Sequence, residues 1–164
     1  MRIFKVKALI VCFIFLLFAM ACEENKVPDV AGFWQLYAME KLNDNGVWED
    51  WNGGMQGNLL YDGSGHVALH LATSNYQNFK TEFPNFSDSI SLESLKHLTN
   101  SYYYMGRYEL NRASQIVKHT RKSHSNPKDW GKTVERKYWF SGDTLIIVPV
   151  ENANSGLRLK WLRE

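Results

Sequence analysis

Apolar and polar residues alternate with a period of two along most of the chain, and each alternating run ends at residues that favour turns. Eight runs predict eight strands, over 33–42, 58–61, 67–72, 107–110, 116–122, 134–140, 144–150 and 157–162. Asn43-Asp44-Asn45-Gly46, Asp62-Gly63-Ser64-Gly65 and Ser141-Gly142-Asp143 are dense turn signals, and the last two sit where a hairpin needs them. The rhythm breaks over 74–104. There Ile90, Leu92, Leu95 and Leu98 recur at roughly helical spacing behind serines able to cap a helix, which predicts a helix over 89–103 between the third and fourth strands. The expected class is all-β: an antiparallel eight-stranded barrel with one helical insert, because closure removes exposed strand edges.

The first 29 residues follow another pattern. Arg2, Lys5 and Lys7 precede an uncharged, almost wholly apolar run from Ala8 to Met20, and small residues stand three and one before Cys22. That is the three-part pattern of an export signal. The run is about 13 residues, short of the roughly 20 that cross a bilayer as a helix. Ala19-Met20-Ala21-Cys22 resembles the bacterial lipobox, which implies lipid on the Cys22 thiol, cleavage before it and acylation of the new amine. The expected organisation is a lipoprotein signal over 1–21, a lipidated tether over 22–29 and one domain over 30–164. The expected location is a bacterial envelope, at the outer membrane or its surface, since Glu23-Glu24 resembles an acidic export signal.

This division changes the composition. The whole chain of 164 residues has 19 basic and 17 acidic residues and a formal charge of +2. Residues 1–21 take three basic residues and no acidic ones, leaving a mature charge of −1. Cys12 leaves with the signal and Cys22 is the lipidation site, so no disulfide is available and the core must hold the domain alone. An exported, slightly acidic domain argues against nucleic acid as a partner. The aromatic fraction, 14%, becomes the informative number.

Strand alternation indicates which side chains point inward. Over 134–140 the better core face carries Val134, Arg136, Tyr138 and Phe140; over 116–122 it carries Val117, His119 and Arg121. Tyr108 and Leu110 share a face opposite Arg107 and Glu109, and Leu157, Leu159, Trp161 and Arg163 share one in the last strand. A buried Arg136 needs a counter-ion or a ligand.

Several of these residues also carry a resemblance. Gly32-Phe33-Trp34 looks like the Gly-x-Trp of lipocalins. Gly57-Asn58-Leu59-Leu60-Tyr61, followed by the Asp62–Gly65 turn, Tyr104-Met105-Gly106-Arg107-Tyr108, His119, Asn126-Pro127, Trp130-Gly131, Arg136 and Ser141-Gly142-Asp143 resemble, in order, the bacterial and fungal lipocalin-like domain family. The resemblance runs from about residue 30 to the end. It implies a calycin-type barrel with a cup-shaped cavity, and a basic side chain near the C-terminus, Arg163, packed across the indole of Trp34 beside Gly32. Lipocalin ligands cannot be carried over.

The candidate ligand contacts are His119 and Arg136 first, then Tyr108, Tyr138 and Tyr61. The reading favoured is a monomeric envelope lipoprotein that binds a small, mainly hydrophobic molecule in its cavity and meets the membrane through lipid on Cys22. Two alternatives stay open. One is an enzyme acting on a carbonyl or enolisable substrate, with His119 as acid/base and Arg136 supporting an oxyanion. The other is an inhibitor or assembly lipoprotein working through its surface. No catalytic residue, cofactor or metal is assigned. His66 and His70 would stand about 13 Å apart on a strand at ~3.3 Å per residue, too far for one ion. Trp48 and Trp51 are candidates for a cavity rim, and Lys118, Arg121, Lys122, Lys128 and Lys132 for a basic surface patch.

Overall fold

Each run pairs with the run that follows it. The computed structural model describes residues 29–78, 80, 89, 91, 92, 95, 99–151 and 156–164. Along it lie β1 (Gly32–Leu42), β2 (Trp48–Asp50), β3 (Met55–Tyr61), β4 (His66–Thr73), β5 (Ser101–Asn111), β6 (Ile116–His124), β7 (Thr133–Ser141), β8 (Thr144–Pro149) and β9 (Leu157–Arg163). Strands β3 to β9 pair antiparallel in sequence order, and β1 closes the ring by pairing with both β3 and β9. The result is an eight-stranded antiparallel barrel. The short β2 is an addition to it, laid on the last residues of β1, where Trp48 covers the guanidinium of Arg158 at 3.8 Å.

The predicted turns form through their side chains. Asp62 Oδ1 accepts the backbone N–H of Ser64 and of His66, both at 2.8 Å, and Asn43 Oδ1 accepts from Asn45 and Val47. These bonds replace ladder bonds that the reversing chain cannot make.

The connection from β4 to β5 departs from expectation. Residues 101–103, assigned above to the end of a helix, begin β5, which starts six residues before the predicted strand. The β-branched-poor run Tyr102-Tyr103-Tyr104 is half apolar on both faces, so periodicity misplaced it. Most of the rest of the predicted helix lies outside the described residues. Among the described ones the connection carries a single 3-10 turn, Tyr76–Asn78, and two helical-spacing hydrogen bonds, Leu95 to Ser91 and Thr99 to Leu95. The expected signal and Cys22 also lie outside the described residues. No helix among those described is long and apolar enough to cross a membrane.

Inward-facing residues of all eight strands make one core, with Trp34, Trp161, Tyr61, Leu59, Leu145 and Val117 almost wholly buried. Two bulges interrupt the alternation. At Tyr37 the β1–β9 register shifts, so Trp34, Leu36 and Met39 all face inward while Tyr37 is 67% exposed. In β6, Arg121 pairs with Gly106 and Ser123 with Met105, leaving Lys122 as the extra residue. An extra residue reverses the facing of everything after it. His124 therefore points to the same side as Arg121, and both are buried.

The two ends differ. At one, Val30 plugs the barrel, and Trp34 Nε1 donates to its carbonyl at 2.8 Å. Arg163 lies across the Trp34 indole, 4.3 Å from the ring centre, and donates to the carbonyls of Ala31 and Asp29 at 2.7 and 2.6 Å. Gly32 makes room for it, since a Cβ there would sit 2.7 Å from Arg163 Nη1. The other end, where β1, β4, β6 and β8 finish, bears the mouth of a cavity.

Candidate functional site

The open end leads into a cavity of about 610 Å³. Its walls are mainly apolar: Met39 and Met55, Leu69 and Leu71, Val134, Leu157 and Leu159. Trp51 stands at its rim, whereas Trp48 is on the outside over Arg158. Tyr102, Tyr104, Arg121, Asp129, Lys132, Arg136 and Glu151 supply the polar groups. Size and lining are those of a small-molecule site.

Below the cavity lies a buried polar chain. His119 is 1% exposed; its Nδ1 is 2.7 Å from the Tyr104 hydroxyl and its Nε2 2.8 Å from the Tyr61 hydroxyl. Burial, then the charges of Arg136 and Arg121, push its pKa down to about 3, so the imidazole is neutral, with one nitrogen donating and one accepting. The sealed interior selects the tautomer. Tyr61 is 1% exposed and, among the described residues, its hydroxyl has no partner but His119. If Nε2 carried the proton, the Tyr61 proton would be left without an acceptor, at a cost of about 1–3 kcal/mol. Tyr61 therefore donates to Nε2, Nδ1–H donates to Tyr104, and the Tyr104 proton is left for the cavity side. Both tyrosines are held well above the ordinary phenol range, chiefly by burial.

The structure separates the sequence-derived candidates. Arg136 lines the cavity; its Nη1 donates to the Glu135 carbonyl at 2.9 Å and pairs with Glu151. It stands on β7 opposite Val117, while His119 stands opposite Val134. The two are diagonal neighbours that share no hydrogen bond, and Arg136 acts on His119 through its charge. Tyr61, Tyr108 and Tyr138 do not line the cavity. Tyr108 packs edge-on against Tyr61 with ring centres 4.8 Å apart, and Tyr138 against Phe140, both toward the plugged end. With both ring nitrogens occupied by tyrosine hydroxyls, His119 offers no base to a molecule in the cavity.

The alternation reading placed Arg121 inside, and it also placed Arg121 in a surface patch. Only the first stands, since Arg121 is 5% exposed. Lys118 pairs with Glu135 and Lys132 with Asp129. The bulge at Lys122 adds His124, which period two had no means of placing beside Arg121. The backbone N–H of Asn126 donates to His124 Nδ1 at 2.7 Å. Burial, then the Arg121 charge, lowers the His124 pKa, so this ring too is neutral and carries its proton on Nε2. That proton goes to the Tyr102 hydroxyl, 3.1 Å away.

The other described histidines, His66 and His70, have other duties. His66 Nδ1 meets Asp62 at 2.7 Å and Ser64 at 3.1 Å on an exposed turn, with Nε2 facing Arg107. The serine hydroxyl meets the same nitrogen as the carboxylate, so the trio staples the turn and does not activate a nucleophile. His70 bonds Ser101. Among the described residues no three His, Cys, Asp or Glu side chains gather as a metal site.

A family model described as a lipocalin-like domain matches residues 31–162. The chain belongs to the lipocalin-like domain family. No curated protein and no solved structure matches it. For this lipocalin-like barrel the match spans every strand of the ring, from Gly32 to the end of β9 but for its last residue.

The buried histidine makes a pH prediction. An unfolded histidine titrates near 6.5 and His119 near 3, so its contribution is complete above about pH 6.5 and is lost as pH falls toward 3. The stability difference between wild type and His119→Gln, from urea denaturation, is expected to shrink between pH 7 and pH 4 by up to about 1.4 kcal/mol per unit. A difference that stays constant over this range would show that His119 is not held neutral.

Proposed function

We propose that this lipocalin-like protein is an envelope lipoprotein, anchored through lipid on Cys22, that binds a small, mainly apolar molecule in its barrel. The observation that carries the binding reading is the cavity of about 610 Å³ with apolar walls and a few polar groups. A barrel held only by its core would gain stability by filling that space with side chains; leaving it open costs packing. Support for the anchor comes from the apolar run before Ala19-Met20-Ala21-Cys22. Several acyl chains on one residue give stable anchoring at roughly 0.8 kcal/mol per buried CH₂.

Native mass spectrometry of the protein gently purified from its own envelope tests the binding reading, and Nile red titration complements it. A co-purifying small molecule, or a saturable rise in dye fluorescence, is the expected result; a clean apo mass together with no dye response would end the proposal. For the anchor, Cys22→Ser is expected to move the protein from the membrane to the soluble fraction and to remove the lipid mass. Unchanged membrane retention with no lipid mass on Cys22 would refute lipidation.

A further inference from the structure

Among the described residues, Arg121 is a buried cation without an adequate partner. Its side chain is 6% exposed on the cavity wall, and its one carboxylate contact among the described residues, to Asp129, is 3.5 Å long. Asp129 is shared with Lys132 at 3.3 Å. The Arg121 Nε has no hydrogen-bond partner among the described residues. Nη1 faces His124 Nε2 at 3.3 Å, but that nitrogen carries a proton because Nδ1 accepts from Asn126, so donor meets donor. The third hydrogen-bond contact of the Arg121 side chain, to the Tyr102 hydroxyl, is 3.5 Å, and its Cζ stands 6.0 Å from the centre of the Tyr104 ring. A guanidinium has five N–H groups in a fixed fork, and this one makes only long bonds. Burying such a charge is costly unless an acceptor completes it.

The Tyr102 hydroxyl points the same way. It already accepts from His124 and from Arg121, so its own proton is directed away from both. Tyr104, whose proton the His119 tautomer leaves toward the cavity, adds a third donor. Among the described residues lining the cavity, the cations Arg121, Lys132 and Arg136 face the carboxylates of Asp129 and Glu151, an excess of one positive charge.

We propose that the cavity takes an amphiphilic monoanion, an aliphatic carboxylate whose head is gripped by Arg121 and Tyr102 and whose chain lies against Leu69, Leu71 and Leu159. The excess of one charge selects a monoanion, because a dianion would also meet Asp129 and Glu151. A carboxylate presents two acceptors, matching the fork of Arg121, and charge-assisted bonds of this kind are the strong ones. This rests on the reading of the cavity as a binding site and goes further by naming the chemistry of its guest.

The test compares decanoate with 1-decanol, equal in chain and different in charge, by calorimetry of the purified protein at pH 7.5. Decanoate is expected to bind about tenfold or more tightly than decanol. Tyr102→Phe, which keeps the ring, is expected to weaken decanoate about three- to tenfold and decanol by clearly less, and Arg121→Met to remove the preference altogether. Should Arg121→Met fail to fold, the wild-type ratio and Tyr102→Phe still decide. Decanol binding as tightly as decanoate, or Tyr102→Phe weakening both equally, overturns the anionic head while the binding cavity stands. If neither probe binds and Nile red gives no response, the cavity reading fails and this inference with it.

Discussion

Gly106→Ala is expected to unfold the barrel or to lower its stability by about 3 kcal/mol or more. A Cβ at Gly106 would lie 2.0 Å from the Thr120 carbonyl oxygen and 2.9 Å from its carbon, both main-chain atoms of β6. A flexible side chain could swing aside; a paired strand cannot. Relief requires β5 and β6 to part by about an ångström at the point where the Lys122 bulge already bends the pair. That movement would break ladder bonds and shift Arg121 and His124 together, and overpacking alone costs about 1–3 kcal/mol where some relaxation is available. Gly57→Ala should behave alike, its Cβ meeting the His70 carbonyl oxygen at 2.0 Å. Gly131→Ala is the contrast. Its Cβ meets nothing within 4 Å, and only its φ of +77° resists the change, for about 1 kcal/mol. Urea denaturation separates these cases: a Gly106→Ala midpoint equal to that of Gly131→Ala would refute the clash.

Those glycines show how much of the fold could be read from residue order. Gly57 and Gly106 belong to the stretches that resemble the lipocalin-like family, and neither sits at a turn. Their positions in the chain were visible; their cause, the backbone of the next strand at contact distance, is a property of the closed sheet. Strand order followed from turn chemistry, because Asp62 and Asn43 close their reversals with their own carboxylate and amide oxygens. The stretch before β5 was misread because three successive tyrosines carry no period. Burial there is decided by neighbours in β4 and β6, not by local pattern.

The site was legible in its elements and not in its wiring. Alternation put Val117, His119, Arg121, Arg136 and Tyr138 on inward faces, and each is at least largely buried. Inward is one property and lining the cavity is another. Depth along the barrel separates Arg136 and Tyr104, at the open end, from Tyr61, Tyr108 and Tyr138, toward the plug, and period two carries no information on depth. His124 escaped for a different reason. A bulge is set by the pairing of two strands, so a single strand read alone assigns His124 to the wrong side.

At the plugged end the largest side-chain effect is expected from Trp34→Ala, a loss of about 3–5 kcal/mol. Trp34 is 1% exposed and does three things at once. Its ring fills the base of the core beside Phe140, its Nε1 donates to the carbonyl of Val30, and its face carries Arg163. The parts can be separated. Trp34→Phe keeps most of the volume and loses the hydrogen bond and the larger π-face, for about 1–2 kcal/mol. Arg163→Met loses the cation and its two bonds to the Ala31 and Asp29 carbonyls, which hold the chain entering β1 over the end of the barrel. If the indole and guanidinium act together, the double variant Trp34→Phe/Arg163→Met will be more stable than additivity predicts, by about 0.5–2 kcal/mol. Additive losses would mean that Arg163 works through the carbonyls alone. Ligand affinity is the second readout. Trp34 lies at the end away from the cavity, so decanoate affinity of the folded Trp34→Phe variant should match wild type; a marked loss would place the plug and the cavity in one cooperative unit.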